Sequence, residues 1–554
     1  MTARPALHWP GKGDGPAPTE ASLAVDQRVG AGGNLLVCGD NLQAMDALLP
    51  AYAGKVDLVY LDPPFATGHD FVRTSFVGPD GEDRGELRAH AYADRWPGGI
   101  VGFLTMIEPR LRRVHRLLAP HGSLYVHVDP TVGHYIKILL DEIFGAECFQ
   151  REIVWRIGWL SGYKTRANNW IRNHDLIFFY TRDPAQFTFN KQYVAYPAGY
   201  VRRDGKPPTG RGVALEDVWN ANAAEFALTG RDSLDSIQIK SFSREKTGWA
   251  TQKNESLLRR IVAASSNPGD LVADFFCGSG TTLVAAAELG RRWIGSDCAT
   301  AAVELAHARL VDRGAAFDRC SLVGERRAAE GYVPRIIKQW GGEATPGAVH
   351  GERAGVGILV GPIDAPVTRE AVQVAVAEAA RRGLTGLDVV AWDWGFDADE
   401  ALDGRGVAVT QVQARREALD DRARAGAGLA ERPVLNIEWR EESGAVRVTV
   451  AASLRRPERL AADMQMALRD PTELLESWSV EFAAGPGPMR PDERHHRTRA
   501  QRALVVESGP HLYPGRGVYT ARVVVCDRFG AEHRQAFTLD WQGELRATRR
   551  RDPW

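Results

Sequence analysis

A short segment with an acid, two prolines and an aromatic ring has the clearest chemical potential in this sequence. The apolar run VDLVYL (56–61) is followed directly by Asp62, Pro63, Pro64 and Phe65. Proline fixes its own φ and restricts the residue before it, so a carboxylate and a proline carbonyl would be held rigidly together. Two such acceptors could bind the N–H groups of an amine on a nucleobase, and Phe65 offers a face on which an extruded base stacks. An isolated segment of this kind could equally be a turn that ends a strand.

A glycine-rich turn further along the chain predicts a nucleoside site. The stretch LVADFFCGSGTTLVAAAELGRRWIGSD reads as strand, turn, helix and strand, with Asp274 and Asp297 ending the two strands. Gly278 and Gly280 allow the backbone to pass close to a ligand, and the free N–H groups of the following helix can hold an anion. Asp297 lies 19 residues after Gly278, where nucleotide sites place the acid that binds ribose hydroxyls. The third glycine of a dinucleotide site and the lysine of a P-loop are both absent, which disfavours NAD and ATP.

The elements that must position these residues form a repeating pattern of strands that end on aspartate. Five apolar segments share this habit: NLLVCGD (34–40), VDLVYLD (56–62), GSLYVHVD (122–129), LVADFF (271–276) and RWIGSD (292–297). Continuously apolar strands that alternate with helical stretches predict a parallel sheet covered on both faces. Ligands bind beyond the carboxyl ends of such strands, so we expect these acids to meet along one edge.

Composition limits the classes to which the protein can belong. A chain of 554 residues is too long for one core, and 44% hydrophobic with 25% charged residues is typical of globular proteins. Six widely separated cysteines without a CxxC pair disfavour a disulfide framework and a zinc site, and suit a reducing cytoplasm. No long apolar run is present, so a secreted or membrane protein is not expected.

The chain divides by composition into several regions. Residues 1–33, rich in Gly, Pro and Ala, predict a mobile tail. Residues 34–325 predict the catalytic domain, and 151–250 within it carries 15 Lys and Arg against 10 Asp and Glu, with 16 aromatic residues. Cations for phosphates and rings for bases predict a nucleic-acid surface there, whereas HDLIFFYT within it reads as a core strand. Residues 345–425 predict a small α/β domain and 430–554 an immunoglobulin-like β-sandwich.

Together the segments DPPF and DFFCGSGTT resemble the DNA amino-methyltransferases over about residues 34–325. The catalytic segment precedes the glycine turn and a recognition region lies between them, which is similar to the β-class arrangement and to the modification subunits of type III restriction systems. The resemblance implies a circularly permuted Rossmann-like sheet with an inserted target-recognition region. The segments GPIDAPVTREAV and GVYTARVVVCDRFG are similar to the C-terminal extension of phage-defence methyltransferases.

The resemblance also implies roles for individual residues. It assigns the catalytic clamp to Asp62, Pro63, Pro64 and Phe65, and Asp40 to the surroundings of the cofactor's adenine ring. TQKN (251–254) resembles the family's TQKP segment near the methionine end of the cofactor, with Asn254 in place of the proline. The full set implied to bind the cofactor is Asp40, Thr251, Gln252, Lys253, Asp274, Phe276, Gly278, Gly280, Thr281 and Asp297.

The function implied by the resemblance is transfer of the methyl group of S-adenosylmethionine to N6 of an adenine flipped out of double-stranded DNA. No metal is expected, because the sulfonium already activates the methyl group. A separate restriction or helicase subunit is an expected partner, and the sequence leaves open whether the protein forms an oligomer. The alternatives are methylation of cytosine N4, of an RNA base or of a protein glutamine, and a non-catalytic DNA-binding scaffold. Aspartate before PPF favours adenine over cytosine.

Overall fold

The structure, a computed structural model, describes most of the chain. The described residues are 5–13, 21–66, 70–77, 85–94, 96–157, 168–194, 196, 199–219, 245–249, 251–323, 331–363, 366–392, 394, 396, 402, 404–419, 429–454, 470–497, 502–528, 532–542 and 544–550. Much of the predicted recognition insertion, including 158–167 and 220–244, therefore lies outside the described residues.

A ten-stranded sheet with helices on both faces forms the region predicted to be the catalytic domain. Its segment of the chain contains the strands β1 (Ser22–Val29), β2 (Leu35–Cys38), β3 (Val56–Leu61), β4 (Asp70–Val77), β5 (Gly85–Ala93), β6 (Leu118–Val128), β7 (Phe149–Arg156), β8 (His174–Thr181), β9 (Tyr193–Val194), β10 (Val213–Ala214), β11 (Val218–Trp219), β12 (Leu271–Asp274), β13 (Arg292–Asp297) and β14 (Phe317–Val323). Its helices are α1 (Asn41–Tyr52), α2 (Ile100–Leu117), α3 (Pro130–Phe144), α4 (Glu255–Ser265), α5 (Thr281–Glu288) and α6 (Thr300–Asp312).

The order of strands in this sheet brings the two halves of the domain together. The order is β1-β14-β2-β13-β12-β3-β6-β8-β7-β11, and the run from β14 to β6 is parallel throughout. β1 and β8 pair antiparallel at the two ends of that run. The late strand β12 lies beside the early strand β3, so the segment that carries Asp62 precedes the glycine turn along the chain although the two are neighbours in the sheet. This confirms the predicted α/β fold with its permuted order.

Strand side chains alternate between two apolar layers. Val59 and Leu61 face a core built with α1, α2 and α3. Leu58 and Tyr60 face the opposite layer, which includes α4, α5 and α6. Both faces are thus covered, as continuously apolar strands predict. β8, expected to be a core strand, is buried over almost its whole length.

The N-terminal region differs from the mobile tail expected for residues 1–33. Ser22–Val29 form β1, which pairs with β14 and covers that edge of the sheet. Further upstream, Leu7 and Trp9 pack against the core, and Lys12 forms an ion pair with Glu142. Composition misled the prediction here, because pairing with β14 supplies the backbone hydrogen bonds and apolar contacts that order this segment.

A second, smaller sheet follows the catalytic domain. It orders as β15-β16-β17-β18-β19-β20, and β17, β18 and β19 are parallel. The Thr368 hydroxyl accepts a hydrogen bond from the Ala371 amide and caps the second helix of this unit. Its elements are α7 (Tyr332–Gln339), α8 (Arg369–Arg381), β15 (Glu343–Ala344), β16 (Gly351–Arg353), β17 (Val356–Val360), β18 (Gly386–Ala391), β19 (Ala408–Ala414) and β20 (Leu429–Glu431).

Two antiparallel sheets make up the C-terminal region. One pairs β21 (Val434–Glu442) with β22 (Ala445–Ser453), and the other has the order β24-β23-β25-β26-β27. Side chains of both sheets share one apolar core, as in a sandwich. The strands of the larger sheet are β23 (Leu475–Glu481), β24 (Glu493–His496), β25 (Gly517–Asp527), β26 (Glu532–Trp541) and β27 (Leu545–Arg549). The domain bounds read from the sequence, and the immunoglobulin-like label, stay predictions.

Buried charges join the C-terminal sheets to the catalytic domain. Arg319 of β14 pairs with Glu304 of α6 at 2.5 Å and with Glu532 of β26. The Arg28 amide donates to the Met489 carbonyl at 2.9 Å. Glu304, Glu532 and Cys526 lie close enough together to suggest a metal site, but the guanidinium of Arg319 already pairs with both carboxylates. All six cysteines are free thiols. Among the described helices, none combines the length and apolar character needed to cross a bilayer.

Candidate active site

The predicted catalytic segment and the predicted glycine turn lie side by side. In the parallel pairing of β3 with β12, Tyr60 is opposite Asp274. Asp62 follows Tyr60 by two residues, so both acids emerge at the carboxyl ends of neighbouring strands. The negative charge of Asp62 contributes to raising the pKa of Asp274, which shows that the two carboxylates interact. Sequence reasoning therefore placed these two groups correctly at one edge.

One oxygen of the Asp62 carboxylate is occupied and the other is open. The Lys253 ammonium lies 2.5 Å from Oδ2, and both side chains are largely buried. Oδ1 is buried and has no hydrogen-bond partner among the residues that the structure describes. A buried acceptor without a donor is costly, because it has lost water and gained nothing in exchange. The carboxylate thus holds one acceptor ready for a donor that enters the site.

Phe65 stands on a hydrogen-bonded layer of polar and aromatic side chains. Its ring stacks on the ring of His127 at 6.0 Å between centroids. Nδ1 of His127 hydrogen-bonds the Tyr60 hydroxyl at 2.8 Å, and Nε2 bonds Asp175 at 3.2 Å. Burial alone would raise the pKa of Asp175, but His127, Lys253 and Arg172 lower it overall. His127 is therefore a buried, hydrogen-bonded core residue.

The turn after Phe65 is held by an acid that no sequence pattern singles out. Ala66 has φ +57°, a left-handed conformation that costs about 1 kcal/mol for a residue with a Cβ. Its amide donates to Oδ1 of Asp94 at 2.8 Å, and the Trp96 indole donates to the same oxygen at 3.1 Å. Asp94 is almost wholly buried. It lies in a separate segment of the chain, so only the folded structure reveals this support for the turn after Phe65.

Asp274 is the most perturbed acid of the site. It is 2% exposed, and burial raises its pKa to about 7 despite hydrogen bonds from the Thr282 hydroxyl and the Phe276 amide. Those donors lie 2.5 and 3.0 Å from its two oxygens. The charges of Asp62 and Asp297 raise the pKa further. Three acids thus create a field that a cation would relieve.

Asp297 holds the glycine turn itself. Its Oδ2 accepts from the Gly278 amide at 2.8 Å and its Oδ1 from the Ala299 amide at 2.9 Å. Gly278 and Gly280 have φ of +49° and +77°, so both need the freedom that glycine provides. A Cβ on Gly278 would lie 3.1 Å from Nε1 of Trp249. Trp249, which sequence reasoning missed, therefore lies close against the turn.

The TQKN segment is ordered by its own hydrogen bonds. The Gln252 side chain accepts from the Thr247 amide and donates to the Glu245 carbonyl, so it fixes the preceding loop. Oδ1 of Asn254 accepts from the Leu257 amide at 3.0 Å and caps α4. Asn254 thus supplies the side-chain acceptor that a helix N-terminus requires, at the position of the proline in the TQKP segment that this loop resembles. Lys253, between them, reaches Asp62, and Thr251 precedes them in the same loop.

Asp40 and Thr281 are tied to other parts of the protein. Asp40 caps α1 through the Leu42 amide at 2.9 Å and pairs with Arg110 at 2.8 Å. Thr281 is buried at the start of α5, and its hydroxyl accepts from Arg309 at 3.1 Å. The expected contacts of these two residues with a cofactor stay predictions.

The residues around the turn fit S-adenosylmethionine. Its sulfonium and amino groups are cationic, and Asp62, Asp274 and Asp297 place three interacting carboxylates at this edge. The turn at Gly278 and Gly280 allows close approach, and each carboxylate oxygen of Asp297 can accept more than one hydrogen bond. The residues that would hold the donor are those of the turn, with Asp297 for hydroxyl groups.

Comparison with known proteins gives consistent results. Residues 56–308 match the family model for DNA methylases of the N6 and N4 type. The type II methyltransferase M.EcaI of Enterobacter cloacae is 29% identical, over 53% of this chain and 75% of its own. The DNA adenine methyltransferase YhdJ of Escherichia coli is 25% identical, over 51% and 84%. The Mod subunit of the type III enzyme EcoP15I of Escherichia coli is 29% identical, but over only 28% of this chain and 25% of its own. The solved M1.HpyAVI–SAM complex covers 50% of this chain and 98% of its own at 19% identity, with a TM-score of 0.31.

Proposed function

We infer that this chain, whose residues 56–308 belong to the DNA amino-methyltransferases, methylates adenine at N6 in double-stranded DNA, with S-adenosylmethionine as the donor. The observation that carries the proposal is the open Oδ1 of Asp62, which lies at the carboxyl end of the strand beside the glycine turn. Aspartate in DPPF and the similarity to an adenine methyltransferase favour adenine.

The exocyclic nitrogen of adenine is a weak nucleophile, because its lone pair is delocalised into the ring. Oδ1 of Asp62 would accept one N–H of that amine, which draws the lone pair out of the ring and favours the positive charge that develops. Phe65, supported from behind by His127, would stack on the extruded base. Bound S-adenosylmethionine supplies an electrophilic methyl group. After transfer, Oδ1 would receive the departing proton, since it already accepts the N–H bond.

The Cys277 thiol in the turn is unsuited to covalent catalysis. Burial and the charges of Asp297 and Asp274 raise the pKa of the Cys277 thiol well above its usual value. A buried thiol in that state is a poor nucleophile. Cys277 is therefore assigned to packing, and methyl transfer is direct.

A separate restriction subunit would be the partner if this chain works as a modification subunit. The similarity to EcoP15I Mod supports this part of the proposal, although it covers only a quarter of that subunit. Co-purification of a second subunit from the native host would test it.

Sequencing of genomic DNA from a methylation-free host that expresses the protein tests the central proposal. We expect N6-methyladenine at one short sequence. Asp62→Ala should lower methyl transfer to DNA at least about 100-fold, because it removes the acceptor aligned with the reacting amine. Asp312→Asn, which changes an exposed carboxylate at the end of α6, serves as the matched control.

Three outcomes would contradict parts of this proposal. N4-methylcytosine instead of N6-methyladenine would identify the cytosine alternative. Labelled RNA or protein with unlabelled DNA would place the substrate elsewhere. Full methylation by the Asp62→Ala protein would show that the carboxylate is not part of the reaction and would favour a different site.

A further inference from the structure

Lys253 contacts the two groups that the target base itself requires. Its ammonium lies 2.5 Å from Oδ2 of Asp62 and 5.2 Å from the centroid of the Phe65 ring. An ammonium is a compact donor of N–H bonds and binds aromatic faces. An adenine amine that enters the site needs the same carboxylate as acceptor and the same ring as platform. Lys253 therefore stands where the amine end of the base would bind.

We propose that Lys253 is a gate that closes the base pocket while the methyl donor is absent, so that the target base enters after the donor has bound. This inference rests on the proposed function. The gate consists of one side chain and its ion pair with Asp62, and it needs no change in the fold.

The backbone on both sides of Lys253 is fixed, which leaves the side chain as the moving part. Gln252 is bonded to Thr247 and Glu245, and Asn254 caps α4. Lysine has a flexible four-carbon stem, so its ammonium can move away from Asp62 while these contacts stay intact. The pocket can thus open without loss of the helix or of the loop.

Electrostatics require the ammonium to leave before methyl transfer. Positive charge grows on the amine nitrogen during the reaction, and a cation paired with the accepting carboxylate opposes that charge. The arrangement with Lys253 on Asp62 is therefore suited to the resting protein and unsuited to the reacting complex.

The same loop reaches the glycine turn, which gives the donor a way to act on the gate. Trp249 lies against Gly278, and Lys253 follows four residues later. The donor also carries a carboxylate, an alternative partner for an ammonium released from Asp62. Binding of the donor at the turn would thus weaken the ion pair of Lys253 with Asp62 in two ways. The donor's carboxylate attracts the ammonium, and Trp249 links the turn to the loop that carries Lys253.

Base extrusion can be measured with 2-aminopurine as the neighbour of the target adenine, in a duplex that carries the recognised sequence. Its fluorescence rises when the target adenine, which keeps its own 6-amino group, leaves the stack beside it. For the wild-type protein we expect little rise with DNA alone and a clear rise after S-adenosylhomocysteine is added. Lys253→Met should give at least about a threefold larger rise without any added nucleoside, because the competing ammonium is gone.

Lys55→Met is the matched control, because Lys55 is an exposed lysine that directly precedes β3, at the edge of the sheet opposite the carboxyl ends of its strands. It removes the same charge from the protein and should leave both signals at the wild-type level. Equal DNA binding by all three proteins, measured by gel shift, ensures that fluorescence reports extrusion.

The outcomes separate the gate from the proposed function. Unchanged fluorescence of Lys253→Met without nucleoside would overturn the gate. Lower fluorescence of this variant in both states would also overturn it, since Lys253 would then hold the base in place. No fluorescence rise in the wild-type protein under any condition, together with unmethylated DNA, would refute the proposed function and the gate with it.

Discussion

Replacement of Asp274 by asparagine should stabilise the protein in the absence of the donor and weaken donor binding. Burial raises the pKa of this carboxyl to about 7, whereas an unfolded aspartate titrates near 3.8. Between these values the folded protein keeps a proton that the unfolded chain has lost, so stability falls as the pH rises through this window. A separation of about 3 pH units corresponds to an upper value of about 4 kcal/mol above pH 7.

Asparagine removes this cost and keeps the local hydrogen bonds. Its carbonyl can accept from the Phe276 amide, and its amino group can donate to the Thr282 hydroxyl. The stabilisation by Asp274→Asn should therefore be large at pH 8 and small at pH 4. Loss of the carboxylate should also weaken binding of the cationic donor, about tenfold or more.

Thermal unfolding of the donor-free protein at several pH values measures the first effect, and a binding titration with S-adenosylhomocysteine and sinefungin measures the second. Asp183→Asn is the control of opposite sign, because a hydrogen bond from the Ala185 amide lowers the pKa of Asp183. That variant should gain no stability at high pH. Equal stabilisation by Asp274→Asn at pH 4 and pH 8 would refute the argument, since a titration cannot produce a constant difference.

Two further predictions concern the predicted DNA-binding surface and the ion pairs of Arg319 between the ten-stranded sheet and the C-terminal sheets. The Trp170 side chain is 99% exposed, two residues before Arg172, which pairs with Asp129 at the edge of the site. Trp170→Ala should weaken DNA binding about 5- to 150-fold by gel shift, and Trp170→Phe less; equal affinity of all three proteins would exclude base stacking there. Arg319→Met leaves two buried carboxylates without their cation, so it should lower the unfolding free energy by about 3–5 kcal/mol in a denaturant titration. The exposed ion pair of Arg151 with Asp217 provides the control, since Arg151→Met should lower the unfolding free energy by less than about 1 kcal/mol. Similar losses for the two variants would show that the Arg319 ion pairs contribute little to stability.

Regular patterns in the sequence predicted the sheet and the edge at which the site lies. Apolar strands that end on aspartate identify the carboxyl edge, and the structure places Asp62 beside the end of the strand that carries Asp274. The glycine turn was predictable for a similar reason, because a positive φ at position 278 favours glycine, and a glycine is visible in the sequence. These features depend on local chemistry, which a sequence records directly.

Contacts between distant segments could not be read in the same way. Lys253 was expected at the cofactor, but its ammonium pairs with Asp62, 191 residues away. The support of Ala66 by Asp94 likewise depends on where a separate segment returns to the site. The predicted mobile tail was wrong for Ser22–Val29, since the pairing partner of that strand is β14, Phe317–Val323. In each case side-chain reach and chain geometry, which no short pattern encodes, decide the outcome.

The pairing of β3 with β12 has a consequence for how the protein folds during its synthesis on the ribosome. The two strands are adjacent in the sheet but are separated by about 200 residues of chain. At ribosomal rates of about 5–20 residues per second, the first strand waits roughly 10–40 seconds for its neighbour to be made. During that interval the nascent chain displays the predicted catalytic segment, and one edge of the apolar strand β3 is uncovered. We therefore expect chaperones to bind this intermediate, and pauses in translation between the two strands to change the yield of folded protein.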